Sequence, residues 1–189
     1  MSTVLKKPNT MLCGSACLYF LQKNIFPNCN SPIKSNLTWI TELAEHVKKH
    51  FDKNAIVSCH DSNLYNDFLN ASEEDIQKFI GFKKLNRFVQ RGNQIIDFEV
   101  TKESVDTLLE ANHLIIMNVS SSVFNQDDNM VGGHFIIVLS IEGDNYLVVN
   151  PGKSNIFIER YSKKRIINSC KKFGGWMIAI QSNKKPALS

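Results

Sequence analysis

Three residues carry the chemistry this sequence can offer: Cys13, His134 and Asn150. A thiol is a nucleophile as its thiolate, and the free N–H groups and dipole of a helix N-terminus favour that form. Cys13 occupies such a place. It follows a loop holding Pro8, Asn9 and Thr10, and the run GSACLYFLQK from Gly14 to Lys23 predicts a helix behind it. The thiol then needs a base, usually a histidine that a third group orients. Of the five histidines, His46 and His50 belong to an amphipathic helix, where surface or dipole roles suffice. His134 is different: it opens the apolar strand HFIIVLSI directly after Gly132 and Gly133, which let another backbone approach. Taken singly, such a cysteine is more often a small buried apolar residue, and such a histidine a solvated one. Their joint placement is what points to catalysis.

Asn150 enters through hairpin register. HFIIVLSI and YLVVN are joined through EGDN. With a three-residue loop of Glu142, Gly143 and Asp144, Ile141 stands opposite Asn145 and His134 opposite Gly152. Asn150 is then a diagonal neighbour of His134 on the same face, about 7–8 Å away. A two-residue turn puts Asn150 on the other face, so the expectation requires a bulged turn. In this arrangement the Asn150 amide oxygen accepts Nδ1–H of His134 and leaves Nε2 for the thiol.

The elements that must hold these residues follow from periodicity. Leu37, Ile40, Leu43 or Ala44, Val47 and Phe51 recur at helical spacing in SNLTWITELAEHVKKHF, with Ser35 or Asn36 as cap and Lys48, Lys49 and His50 at the far end. A short strand, Ala55 to Cys59, and a polar connection come next. Ser72 starts a helix with Ile76, Phe79, Ile80 and Phe88 as its apolar face and Gly81 as a break point. IIDFEV reads as a strand and TKESVDTLLEAN as a helix, with Thr101 and Ser104 competing as caps. From His113 the pattern turns to strands: LIIMNVS, HFIIVLSI, YLVVN, NIFIERY and WMIAIQ. Helices first and strands later predict an α+β fold around an antiparallel sheet.

The chain has 189 residues, 43% of them hydrophobic, enough for one domain with its own core. It reads as a single domain over residues 1–189, with 183–189 a frayed tail. Five cysteines, an odd number, and no secretory signal predict reduced thiols rather than a disulfide framework. The net charge of +4 is spread over separated lysine pairs, so a nucleic-acid groove is not expected. No stretch approaches the roughly 18 apolar residues of a membrane span. Cys13 and Cys17 lack the second ligand pair of a zinc site, and the NQDDN loop with Asp127 and Asp128 lacks calcium-loop spacing. No cofactor is expected.

CGSACL near the start and GGHFIIVLSIEGDNYLVVNPGKS later resemble the papain-like bacteriocin-processing (double-glycine leader) peptidase family and its relatives. That family's pattern of Cys-Gly-x-Ala-Cys, a strand histidine and an Asp-Pro about sixteen residues on is matched by Cys13, Gly14, Ala16, Cys17, His134 and Pro151. The likeness reaches from residue 13 to about residue 181. It implies a papain-like cysteine hydrolase acting on a peptide or protein, with Cys13, His134 and Asn150 as the catalytic set. Two departures stand out. Asn150 replaces the family's Asp, though papain itself uses Asn there. Lys7 occupies the place of the family's oxyanion glutamine, and Asn9 is the nearest amide that could serve instead. Side-chain deamidation by the same acyl-thioester chemistry, as in a glutamine deamidase-type effector, and a non-catalytic binding domain are the alternatives. The family's transporter-linked members carry membrane and nucleotide-binding domains. This chain shows neither, so it reads as a monomer, cytoplasmic or secreted as an effector without a cleavable signal.

Overall fold

The computed structural model describes residues 2–60, 62–124 and 132–182. The NQDDN loop and the tail from residue 183 lie outside them. One mixed sheet of eight strands runs through the chain in the order β1-β7-β6-β5-β4-β8-β2-β3. The strands are β1 (Ser2–Lys6), β2 (Ala55–Cys59), β3 (Ile95–Asp97), β4 (His113–Ser120), β5 (Gly133–Glu142), β6 (Asn145–Pro151), β7 (Asn155–Ser162) and β8 (Met177–Gln181). All neighbours are antiparallel except β2 and β3.

Helices cover both faces. On one face α1 (Cys13–Asn24) and α2 (Ile40–His46) meet Leu114, Ile116, Phe135, Ile137 and Val149, together with Leu85 and Phe88 of α5 (Ile80–Gln90). On the other, α6 (Lys102–Glu110) and α7 (Lys163–Lys171) bury Val105, Leu109, Ile166, Ile167 and Cys170 against Ile115, Met117, Ile136, Val138 and Val148. Strands sandwiched in this way read as continuous apolar runs rather than alternating ones, which is why LIIM and FIIV carry no polar residue.

The structure bears out the mixed α+β class and all five strands expected after His113, and it adds what sequence patterning missed. Those additions are the edge strand β1, a short helix α3 (Asn63–Leu69) in the polar connection, and α7 in KKRIINSCK. The second helix begins at Ile40, not near Ser35, and continues past His46 as a π-type turn, Val47–Phe51. Ser35 and Asn36 do not cap it, because this segment straps the start of α1: Leu12 N–H donates to Ser35 O (2.8 Å) and Leu37 N–H to Ser15 Oγ (2.9 Å). The helix from Ser72 breaks at Phe79 rather than Gly81, giving α4 (Glu73–Lys78) and α5. Phe79 and Ile80 are exposed, and Gly81 is buried under the Trp39 ring, which a Cβ there would meet at 2.9 Å. Thr101 caps α6, and Ser104 completes a reciprocal capping box with it.

Candidate active site

Cys13 is the first residue of α1 and is half-buried. Leu12 caps the helix only by its backbone, so no side chain blocks the first-turn N–H groups. Gly14 is required here, since a Cβ would come within 2.6 Å of the Leu37 carbonyl oxygen and 3.2 Å of the Phe135 ring. One turn on, the Cys17 thiol donates to Phe135 O at 3.5 Å. These two contacts pin the first turn of α1 to the start of β5, one residue from His134.

His134 and Asn150 are brought together: Nε2 of His134 lies 2.9 Å from Oδ1 of Asn150. The route differs from the sequence expectation. Glu142 pairs with Asn145 across a two-residue turn, Gly143–Asp144, with Gly143 at φ 59° as such turns require. By itself this places Asn150 on the wrong face. A bulge at Leu139 restores the parity, so that Val138 meets Val148 and Ile137 meets Val149. The bulge was expected in the turn and sits inside the strand.

The nitrogen is also the other one. Asn150 takes Nε2 rather than Nδ1, because a diagonal neighbour is too distant for the ring nitrogen nearest the backbone. The Asn150 amide is oriented in turn by Nδ2–H donating to Glu159 Oε2 at 2.9 Å, with Tyr161 OH at 3.5 Å. That fixes Oδ1 toward His134, so Nε2 bears the proton and Nδ1 of the neutral ring is the bare, basic nitrogen. The Tyr161 hydroxyl donates to the same Glu159 oxygen. Phe124 lies edge-on to both the His134 ring (5.2 Å) and the Tyr161 ring (5.0 Å).

His134 is held below the usual histidine pKa, chiefly by burial and further by the charge of Lys7, while the Asn150 hydrogen bond works against both. Lys7 is 8% exposed, and its Nζ donates to Met11 O at 2.9 Å. Asn9, the candidate oxyanion amide, is exposed in the Pro8–Met11 turn and makes no side-chain hydrogen bond among the described residues. The buried polar side chain of this segment is Lys7. No hydrogen bond joins Cys13 to His134 among the described residues; strand alternation sends Phe135 toward α1 and His134 to the face of Ile136 and Val138.

Three of the other thiols, Cys17, Cys59 and Cys170, are buried. Burial raises Cys17 well above the ordinary thiol value, and burial with the Asp97 charge pushes Cys59 up to about 12. Burial alone pushes Cys170 up to about 12. Cys29 is half-buried and donates to His50 O at 2.6 Å.

Lys7, Phe124, Glu159 and Tyr161 were not singled out as site residues from sequence. A signal existed for two of them: Glu159 and Tyr161 alternate along NIFIERY, and the pairing of Asn150 with Phe157 puts both on the Asn150 face. No protein-family model matches this chain, and no curated protein matches it.

Proposed function

We propose that the chain is a papain-like cysteine hydrolase that cleaves a peptide or amide bond through an acyl-thioester on Cys13. His134 Nδ1 takes the thiol proton, sulfur attacks the carbonyl carbon, and the imidazolium returns the proton to the leaving amine. Water then attacks the thioester, giving a proton to His134 and releasing the acid and the thiol. The first-turn N–H groups of α1 face the developing oxyanion. The observation that carries this reading is the 2.9 Å bond between His134 and Asn150, sixteen residues apart, at the strand start that α1 packs against. Proton transfer from Cys13 requires the His134 ring, which stands on the Ile136 and Val138 face, to turn toward the start of α1, a movement that substrate must drive.

One alternative has observations of its own. The buried Lys7 in place of an oxyanion amide, and the missing bond between Cys13 and His134, favour a binding domain that keeps the fold without turnover. Iodoacetamide labelling near pH ~6, read residue by residue, separates the two. The hydrolase reading expects Cys13 to react at least ~10-fold faster than Cys29, its half-buried control, and to lose that lead in His134→Ala. Equal, slow labelling of both thiols sinks the hydrolase.

A further inference from the structure

We infer that Glu159 is a positioning residue for His134, acting through Asn150, and that it returns to the site the negative charge that an asparagine in this place lacks; this rests on the reading of His134 as the base. A neutral amide orients an imidazole poorly on its own, because its oxygen and nitrogen ends are nearly equal in shape and a half-turn exchanges acceptor for donor. If Asn150 presented Nδ2 instead, the His134 nitrogen facing it would have to be unprotonated, and the proton would sit on Nδ1, where it cannot accept one from a thiol. Glu159 forbids that half-turn. Its Oε2 accepts Nδ2–H at 2.9 Å, and a carboxylate only accepts, so Oδ1 is left for the imidazole.

The carboxylate is itself fixed. Tyr161 donates its hydroxyl to Oε2, and burial with the Glu159 charge raises the Tyr161 pKa, so that hydroxyl stays a donor. Tyr161 packs edge-on against Phe124 (5.0 Å), and Phe124 against His134 (5.2 Å). The contacts therefore close a ring, from His134 through Asn150, Glu159, Tyr161 and Phe124 back to His134. Register supports it without side-chain detail: Val148 pairs with Glu159 and Tyr146 with Tyr161, so Glu159 is diagonal to Asn150 on one face. An aspartate would orient the imidazole with one charged residue; here an amide and a carboxylate divide the two tasks.

The test reads the His134 ring by nitrogen-15 NMR in the resting full chain, without substrate, so it does not depend on turnover. In the wild type the Nε2–H tautomer exceeds the Nδ1–H form by at least ~5-fold, the preference one net hydrogen bond sustains. Glu159→Ala collapses that preference toward parity and lowers the His134 pKa. Glu159→Gln keeps an amide oxygen to accept Nδ2–H, so the tautomer is retained while the pKa still falls with the lost charge. A tautomer ratio and pKa unchanged in Glu159→Ala overturn the inference. If Glu159→Ala does not fold, Glu159→Gln decides alone, and an unmoved His134 pKa overturns it. The hydrolase reading fails separately: a Cys13 without preferential labelling, beside an intact tautomer preference, removes the enzyme and leaves the ring in place.

Discussion

Two histidines of this chain are taken out of water to opposite ends. His46 in α2 is 8% exposed, its Nε2 has no hydrogen-bond partner, and it lies against His50 with ring centres 4.5 Å apart. Burial, and then His50, lower its pKa from 6.5 to about 4. His134 is also lowered by burial, yet a directional bond to Asn150 opposes the shift. Desolvation alone makes an imidazole inert by holding it neutral; desolvation with an oriented acceptor leaves it neutral but able to take a proton at one chosen nitrogen. His134 is half-buried where His46 is buried, and the two sites differ above all in what the second nitrogen is given to do.

Removing His134 gives the largest effect. On the proposed hydrolase reading, His134→Ala is expected to reduce substrate hydrolysis by roughly 10²–10⁴-fold, the usual contribution of a positioned base, whereas His46→Leu leaves the rate unchanged. Assays of purified variants on a peptide library give both numbers, and equal losses erase the distinction.

Stability against acid reverses the ranking. Because His46 has its pKa depressed on folding, the unfolded chain binds more protons between about pH 6.5 and pH 4, and stability falls as pH drops through that window. The loss is on the order of 3 kcal/mol, complete near pH 4. Urea melts across the window show a flattened profile for His46→Leu. A profile as steep as that of the wild type removes His46 as the source.

A smaller effect belongs to Lys7. Its charge lowers the His134 pKa, so Lys7→Gln raises it, and NMR titration of His134 shows the direction. A fall on substitution contradicts the electrostatic account. The smallest change is expected at Gly133, where an added Cβ would meet Asn118 Oδ1 at 2.7 Å. Asn118 is a side chain that can turn aside, so Gly133→Ala is expected to cost about 1 kcal/mol in thermal melts. The same reasoning narrows the reading of Gly132-Gly133 as a pair: at Gly132 the nearest atom to an added Cβ is 3.8 Å away.

The strand half of the molecule was legible because β-branched residues repeat there without interruption, and the place of Cys13 at a helix start and the meeting of His134 with Asn150 were legible because type and spacing coincided. What escaped depended on contacts no local pattern records. α7 carries few apolar residues in KKRIINSCK, and it is held by the Ser162 cap and by buried Lys163 donating to Asp106 at 2.7 Å. β1 exists through antiparallel pairing with β7, a partner distant in sequence. Ser35 and Asn36 suit a helix cap by composition, but closing over α1 uses their segment first. Lys7 was seen only as a departure, since sequence does not show that the side chain is buried beside the site.

The bulge at Leu139 makes this site a matter of counting. The β5–β6 ladder near its turn pairs in one frame and, beyond Leu139, in another, and only the second frame puts Asn150 beside His134. Inserting one residue after Val138, with the bulge still taking up a single residue, leaves both strands, their turn and every polar side chain in the chain. It nonetheless sets Asn150 opposite Ile137 and turns it to the other face of the sheet from His134. A lineage that gained that one codon would keep all the residues by which the site is recognised in sequence and would no longer have the site.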